Sequence, residues 1–319
     1  MDLMQLYRVA KMYYLDGMNQ AEIGKQENLS RSQISRLLEQ SRQQGLVRIE
    51  VMLPDQIGSD KLESLLAREL NLQNLVIVPV DEMDLSEEVI NLAIAMGAAP
   101  LIANTIRNSR VVGVGWGRTV YQASFHVPFG NYDSETLFVP LVGTSGTNDP
   151  HLQINAIIDR FAQKYRGKSF FSSMQVFRER EMPLSRLETK RLHNMQHYWN
   201  LLDAAIFGLG GRLSDDTFFA EELGEEYAHY IKHSNIVGDV LAQFFFEDGT
   251  SMDLQERYRQ TAFAIEKLPK VPKTICLAGG KDKVDALYAG ARAGFFKTLV
   301  TDSVTARLLY EKIRRQIEQ

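Results

Sequence analysis

The chain has a single cysteine, Cys276, among its 319 residues. One cysteine excludes a disulfide within the chain and is typical of a protein from a reducing compartment. Because Cys276 lies in the apolar run TICLAGG, we expect it to be a buried structural thiol. We recognise no signal peptide and no apolar stretch long enough to span a bilayer, so we expect a cytoplasmic protein without a membrane partner.

A strong excess of positive charge is also missing. The formal net charge is −4, and 45% of the residues are hydrophobic, which predicts a globular chain with room for one small and one large domain. Any contact with nucleic acid must therefore depend on a local basic face. The common nucleophile signatures are absent and the six histidines are scattered, so we predict no catalytic residue, no metal site and no cofactor.

Residues Asn19 to Arg48, NQAEIGKQENLSRSQISRLLEQSRQQGLVR, predict a helix-turn-helix. Asn28 adopts the left-handed turn conformation at little cost, and Ser30 is well placed to cap a second helix. Leu3 to Leu15 is predicted as a third, amphipathic helix with Leu6, Val9, Ala10, Tyr13 and Tyr14 on its apolar face. The alternating residues Leu46 to Met52 predict a wing strand.

The second helix of this motif has one apolar and one polar face. Ile34, Leu37 and Leu38 recur at helical spacing and should face the core. The outward residues are of the types that donate to phosphates and to base edges in the major groove, and we predict that they bind DNA: Arg31, Ser32, Gln33, Ser35 and Arg36. The alternative is a plain helical hairpin with a polar face.

After Leu53-Pro54-Asp55, apolar strands alternate with helices. We place a domain boundary there, with residues 1–53 as the helix-turn-helix domain and residues 57–319 as the larger domain. The alternation predicts an α/β fold with a mostly parallel sheet covered on both faces.

Four glycine-rich turns follow predicted strands: GVGWGRT, GTSG, GLGG and AGGKDK. In such folds ligands bind at the carboxyl ends of the strands, so the turns predict one pocket suited to an anion such as phosphate. The alternative is four ordinary tight turns. GVGWGRT does not match the dinucleotide-binding fingerprint, because Arg118 stands where its third glycine is required.

Two charged residues are candidates for this pocket. Lys283 follows a double glycine at a predicted helix start and could meet a phosphate oxygen, although a solvated surface lysine fits the same pattern. Asp239 lies beside long apolar runs and could accept hydrogen bonds from sugar hydroxyls, or could cap a helix.

Taken together, these segments resemble the SorC/DeoR-type sugar-binding transcriptional regulators, over almost the whole chain from about Leu6 to Ile313. The matching segments, in the family's order, are YYLDGMNQAEIGKQENLSRSQISRLLEQSRQQGLVRIEV, VVGVGWGRTVYQ, IVGDVLAQFFFEDG and LAGGKDKVDALYAGARAGFFKTLVTD. The resemblance implies an effector domain related to sugar-phosphate isomerases and deaminases. It also implies a homo-oligomer, dimer or tetramer, in which a phosphorylated sugar modulates DNA binding.

The resemblance also implies residues for effector binding. By motif position they are Gly115, Gly117, Arg118 and Thr119 in a first phosphate loop, Gly143 and Thr144 in a second, Asp239 as the pocket acid and Lys283 as the pocket lysine. The second loop departs from the family, because many relatives have two glycines where this chain has Gly143-Thr144.

The predicted function is a cytoplasmic transcriptional regulator of carbohydrate uptake or catabolism, whose partners are operator DNA and a phosphorylated sugar or polyol. The main alternative is a sugar-phosphate isomerase or deaminase with a DNA-binding head. Against this alternative, the glycine loops contain no general-base carboxylate paired with a second acid. A nucleotide-binding oxidoreductase is disfavoured by the broken fingerprint.

Overall fold

The computed structural model describes residues 3–47, 59–130, 135–213, 217–254 and 256–317. Its internal contacts divide the chain into two compact units, Met1–Pro54 (unit 1) and Asp55–Gln319 (unit 2).

Unit 1 consists of three helices, α1 (Leu3–Tyr14), α2 (Gln20–Glu27) and α3 (Arg31–Gln43). They enclose a small apolar core formed by Leu6, Val9, Met12, Ile23, Ile34, Leu37 and Leu38. The predicted inward positions are confirmed except for Tyr13, which is 36% exposed while Met12 is buried. The Tyr13 ring packs edge-on against Tyr14 instead of entering the core.

The turn between α2 and α3 confirms the predicted helix-turn-helix geometry. Asn28 has a φ of 56°, and the Ser30 hydroxyl accepts a hydrogen bond from the Gln33 N–H in a capping box. A Cβ on Gly24 would lie 2.6 Å from the Leu29 carbonyl oxygen, so only glycine permits this close approach of backbone. The predicted wing strand, Leu46–Met52, lies outside the described residues from position 48 onward.

Unit 2 alternates strands and helices. Its helices are α4 (Ser59–Glu69), α5 (Glu87–Arg107), α6 (Arg118–His126), α7 (Ile154–Tyr165), α8 (Arg186–Trp199), α9 (Thr217–Leu223), α10 (Glu225–Lys232), α11 (Val284–Arg292) and α12 (Ser303–Ile317). Its strands are β1 (Asn74–Val78), β2 (Val111–Val114), β3 (Leu137–Pro140), β4 (Lys168–Ser169), β5 (Phe177–Glu179), β6 (Ala204–Gly210), β7 (Ile236–Val240), β8 (Gln243–Phe246), β9 (Tyr258–Gln260), β10 (Lys273–Leu277) and β11 (Thr298–Asp302).

The main sheet has the strand order β1-β11-β10-β6-β2-β3-β4, and all of these neighbours are parallel. Strands β7 and β8 extend it as an antiparallel hairpin, with β7 paired to the end of β6. The prediction of a mostly parallel α/β sheet is thereby confirmed. Two apolar clusters cover its faces, which explains why β6, AAIFGLG, has almost no polar residue.

Helix α5 corrects one expectation from the sequence. By length and composition it could cross a membrane, although we expected no stretch of that kind. In the structure Ile94, Ala98 and Ile102 of this helix are fully buried in the core of unit 2. The apolar run therefore serves as a core helix of an α/β fold.

Cys276 lies on β10 and is fully buried, as predicted. Burial raises the pKa of its thiol, and the smaller opposing effect of Lys283 does not offset this. Because the thiolate is the nucleophile, we expect the native protein to resist alkylation by iodoacetamide at about pH 8, where an ordinary thiol, with a pKa of about 8.5, reacts. Mass spectrometry should find the adduct only after denaturation. An adduct formed equally fast with and without denaturant would contradict the burial of this thiol.

Candidate functional site

A pocket of about 230 Å³ opens at the carboxyl edge of the sheet in unit 2. Strands β2, β6 and β10 end beside it in register, with Val114 opposite Ile206 and Leu277 opposite Gly208. The end of β6 and the residues that follow the three strands form much of the lining: Trp116–Thr119, Gly208–Leu213, Asp282 and Lys283. Other lining residues come from α5, α9, β7 and the loop before α7: Glu87, Asn91, Phe218, Phe219, Asp239, Leu241, Asp149, His151 and Leu152.

Three of the four predicted glycine turns therefore meet at this pocket, and the fourth does not. Gly143 and Thr144, in GTSG, are not among the lining residues. A Cβ on Gly143 would lie 2.6 Å from the Met174 carbonyl oxygen, and the Thr144 N–H donates to the same oxygen. This turn is held against the strand-like segment 174–176. The continuation of its loop, residues 149–152, reaches the pocket instead.

The first loop meets the pocket at the start of α6. Gly117 has a φ of 117°, and its N–H donates to the His151 carbonyl oxygen at 3.0 Å. The first bond of the helix runs from the Tyr121 N–H to the Gly117 carbonyl oxygen, so the Arg118 and Thr119 N–H groups belong to the unsatisfied first turn. Gly115 lies beneath the lining, where a Cβ would be 2.9 Å from that of Phe207.

The side chains of this loop are already engaged within the protein. The Arg118 guanidinium forms an ion pair with the Glu87 carboxylate, and both side chains are more than half exposed. Such a pair contributes little to stability and can be exchanged for a ligand. The Thr119 hydroxyl donates to Asn91 Oδ1 at 2.7 Å, so this hydroxyl can only accept a further hydrogen bond.

Asp239 lies on β7 opposite Gly210 of β6. This position excludes the helix-cap alternative and brings the carboxylate into the lining. A Cβ on Gly210 would lie 2.0 Å from Asp239 Oδ1, so the carboxylate occupies the space that the missing side chain leaves. A Cβ on Gly238 would lie 2.2 Å from the Gly210 carbonyl oxygen. The GLGG turn and the Asp239 hairpin therefore fit together only because both strands carry glycine.

Lys283 is half-buried at the start of α11 and lines the pocket. The turn before it is anchored by Asp302, a fully buried carboxylate that accepts from the Gly280 N–H at 3.1 Å. Asp302 also accepts from the Thr305 N–H at 2.8 Å and thereby caps α12. Lys281, the neighbouring lysine, is exposed and does not line the pocket.

Several lining residues were missed by the sequence analysis, above all Asp149, His151 and Arg212. Arg212 directly follows GLGG, so its place after a strand end was a usable signal. His151 had only the turn-forming dipeptide Asp149-Pro150 before it as a signal. The lining carries both signs of charge, with carboxylates from Glu87, Asp149, Asp239 and Asp282 and cationic groups from Arg118, Arg212 and Lys283.

The histidines were described above as scattered, which is wrong for four of the six, because two pairs lie one helical turn apart. They are His193 and His197 on α8, and His229 and His233 near α10, where the ring centroids are 4.0 Å apart. Within the described part of the chain, no group of three or more His, Cys, Asp or Glu side chains could hold a metal ion.

In unit 1, the predicted DNA-contacting side chains all lie on the exposed face of α3: Arg31, Ser32, Gln33, Ser35 and Arg36. The side-chain oxygen Oε1 of Gln33 is occupied, since it accepts from the Ser30 N–H at 2.8 Å. A base contact by Gln33 would therefore have to come from its side-chain nitrogen Nε2. Arg31 and Arg36 are both exposed and lie five residues apart, about 1.4 helical turns.

Residues 55–311 match the family model of a putative sugar-binding domain. The chain is also similar to the sorbitol operon regulator of Klebsiella pneumoniae, with 25% identity over 313 residues that cover 97% of this chain and 98% of the regulator. It is 27% identical to the transcriptional regulator LsrR of Enterobacter sp. (strain 638) over 304 residues, 94% of this chain and 90% of that protein.

The fold matches as well. The crystal structure of the full-length sorbitol operon regulator SorC from Klebsiella pneumoniae superposes with a TM-score of 0.80 at 25% identity, covering 97% of this chain and 99% of that one. These likenesses confirm the resemblance seen in the motifs. Because the family model matches most of its length, the chain belongs to the family of the putative sugar-binding domain, with SorC- and LsrR-type regulators among its homologues.

Proposed function

We propose that a phosphorylated sugar or polyol binds in the pocket of unit 2 and changes the affinity of the chain for operator DNA, which α3 contacts. The chain is a sugar-responsive transcriptional regulator by family and by homology along its length. The phosphate, the operator contacts and a cytoplasmic role in carbohydrate uptake or catabolism are our proposals.

The observation that carries the proposal is the combination of groups in the pocket. Lys283 and the first-turn N–H groups of α6 suit an anion, because the start of a helix carries partial positive charge. Asp239 supplies an acceptor for hydroxyl groups. A volume of about 230 Å³ lies below the range of about 300–1,000 Å³ for drug-sized ligands, so the pocket suits a small polar molecule.

Phosphate would bind to groups that are available without unfolding any element. Lys283 forms no ion pair with any described residue, and Arg118 would have to exchange Glu87 for the ligand. We therefore assign Lys283, Arg118 and Thr119 to the phosphate and Asp239 to a hydroxyl, while Gly117, whose N–H already donates to the His151 carbonyl oxygen, shapes the start of α6. Gly115, Gly143 and Thr144 act through the shape of the loops around the pocket.

Catalysis of an isomerase or deaminase type is not part of this proposal. The homologues that match nearly the whole chain are transcriptional regulators. We accordingly expect binding without turnover when the protein is mixed with pentose or hexose phosphates.

The role of α3 is tested by the double variant Arg31→Ala/Arg36→Ala. Loss of a base-edge contact costs about 1–3 kcal/mol, so affinity for an operator selected from random DNA should fall at least about tenfold. The salt dependence should also become less steep, because fewer phosphates are neutralised. Fluorescence anisotropy measures both. Arg110→Ala, an exposed arginine of unit 2, is the matched control. Unchanged affinity in a folded double variant would show that α3 is not the DNA-contacting helix.

The role of Lys283 is tested by Lys283→Ala with Lys281→Ala as the control. A charge-assisted hydrogen bond contributes about 1.5–3 kcal/mol, so the effector concentration that half-changes operator binding should rise about tenfold or more. Operator affinity without effector should not change, and Lys281→Ala should behave as wild type. The measurement is a titration of operator binding with the best sugar phosphate of a panel. Coincident midpoints for all three proteins would place the phosphate elsewhere.

We also propose that unit 2 holds a homo-oligomer together. Unit 2 exposes large apolar side chains one turn apart on α5, Leu92 at 40% and Met96 at 50%. A fragment of residues 57–319 should therefore stay folded and oligomeric. Light scattering at micromolar concentration gives its mass, and a folded monomer would refute the proposal.

A further inference from the structure

The loop between β3 and α7 is held in place from both sides. The Glu222 carboxylate of α9 accepts from the Gly146 N–H at 2.6 Å and from the Ser145 hydroxyl at 3.0 Å. At the other end, the Gln153 side-chain amide donates to the Thr147 carbonyl oxygen at 2.5 Å. The loop therefore presents its pocket-facing residues, Asp149 and His151, from a fixed backbone.

His151 is held by four contacts, two of its ring and two of its backbone. Its Nδ1 lies 2.7 Å from Asp149 Oδ1, and the same oxygen accepts from the His151 backbone N–H at 2.9 Å. The ring packs edge-on against Tyr121 of α6, with centroids 4.7 Å apart. The His151 carbonyl oxygen accepts from the Gly117 N–H, which ties the loop to the start of α6.

This arrangement decides what the second ring nitrogen can do. Since a carboxylate can only accept, the Nδ1 atom must carry the proton, and Nε2 of the neutral ring is then an acceptor with a lone pair. No described residue is hydrogen-bonded to Nε2, while the side chain is about one-third exposed (32%) and lines the pocket.

We propose that His151 Nε2 accepts a hydrogen bond from a hydroxyl group of the effector, and that Asp149 acts as a positioning residue that sets the ring's tautomer. This inference rests on the proposed function. A hydroxyl is favoured over the phosphate as the partner of Nε2, because the Asp149 carboxylate on the other side of the ring repels an anion. His151 is then a specificity residue that distinguishes sugars by one hydroxyl, whereas Lys283 binds the phosphate that these sugars share.

The test uses the full-length protein at about pH 8 with sorbitol 6-phosphate, glucose 6-phosphate and fructose 6-phosphate as probes, and calorimetry as the readout. His151→Phe keeps a ring against Tyr121 but removes the acceptor. We expect it to bind the best probe about three- to tenfold more weakly, as for loss of one neutral hydrogen bond. His151→Gln, whose side-chain oxygen can also accept, should recover most of the affinity. His126→Phe, at the exposed end of α6, is the control and should bind as wild type.

The decisive step compares monodeoxy analogues of the best probe. One analogue should bind the wild type more weakly than its parent does. The same analogue and its parent should bind His151→Phe with equal affinity, because the deleted hydroxyl and the deleted acceptor are partners. Competition by inorganic phosphate should be the same for both proteins.

Each other outcome overturns a distinct claim. If every analogue loses affinity equally in both proteins, His151 does not contact a hydroxyl. If His151→Phe weakens competition by inorganic phosphate, the imidazole binds the phosphate and the proposal is wrong. If no probe binds the wild type, the proposed effector class fails, and this inference with it.

Discussion

Strand β6 changes neighbours along its length, and the pocket depends on that change. It pairs with the parallel strand β2 up to Ile206 and with the parallel strand β10 up to Gly208, whereas Leu209 and Gly210 pair with the antiparallel strand β7. The pairing with β7 brings Asp239 to the carboxyl edge of the sheet and its carboxylate into the lining of the pocket. The crossing is possible because Gly210 and Gly238 have no side chains to collide there.

Around this crossing, the turns after β2 and β10 each bring a cationic side chain to the pocket, Arg118 and Lys283. The turn after β10 is held by the buried Asp302 carboxylate, which satisfies the Gly280 N–H and caps α12 at once. With its backbone groups satisfied in this way, the turn can present the Lys283 side chain to the pocket. A pocket that mixes fixed carboxylates with a few cations distinguishes ligands by the position of their hydroxyl groups as well as by charge.

Local signals predicted unit 1 well because its geometry is set within a few residues of chain. Asn28 and Ser30 act on their own neighbours, so the turn and the start of α3 could be placed from sequence. The mostly parallel sheet of unit 2 followed from the alternation of apolar strands and helices, whereas the order of its strands comes from the structure. The prediction that Tyr13 faces the core was wrong. Met12, its neighbour on α1, fills the small core instead, and only the packing of side chains decides between the two positions.

Only part of the pocket could be predicted from the sequence. The turns that directly follow the central strands β2, β6 and β10 were correctly predicted to line it, because the carboxyl ends of parallel strands meet at one edge of the sheet. The same argument placed GTSG at the pocket, and there it was wrong, because contacts with residues 174–176, some 30 positions away, hold this turn outside the lining. His151 and Asp149 reach the pocket through a loop that Glu222 and Gln153 hold in place. Glu222 lies 76 positions from its partner Gly146, and the spacing of residues in the sequence does not predict a contact over that separation.

We propose that binding of one ligand in unit 2 and binding of DNA on α3 are energetically linked. Linkage is reciprocal, so a sugar phosphate that changes operator affinity by some factor must have its own affinity changed by the same factor when operator is bound. The most direct measurement is calorimetric titration of the full-length protein with the best sugar phosphate, with and without saturating operator DNA. We expect two different dissociation constants for the sugar phosphate, whose ratio equals the factor by which this ligand changes the affinity for operator DNA. Equal constants with and without operator would contradict the proposed linkage, because a ligand without differential affinity cannot shift the equilibrium.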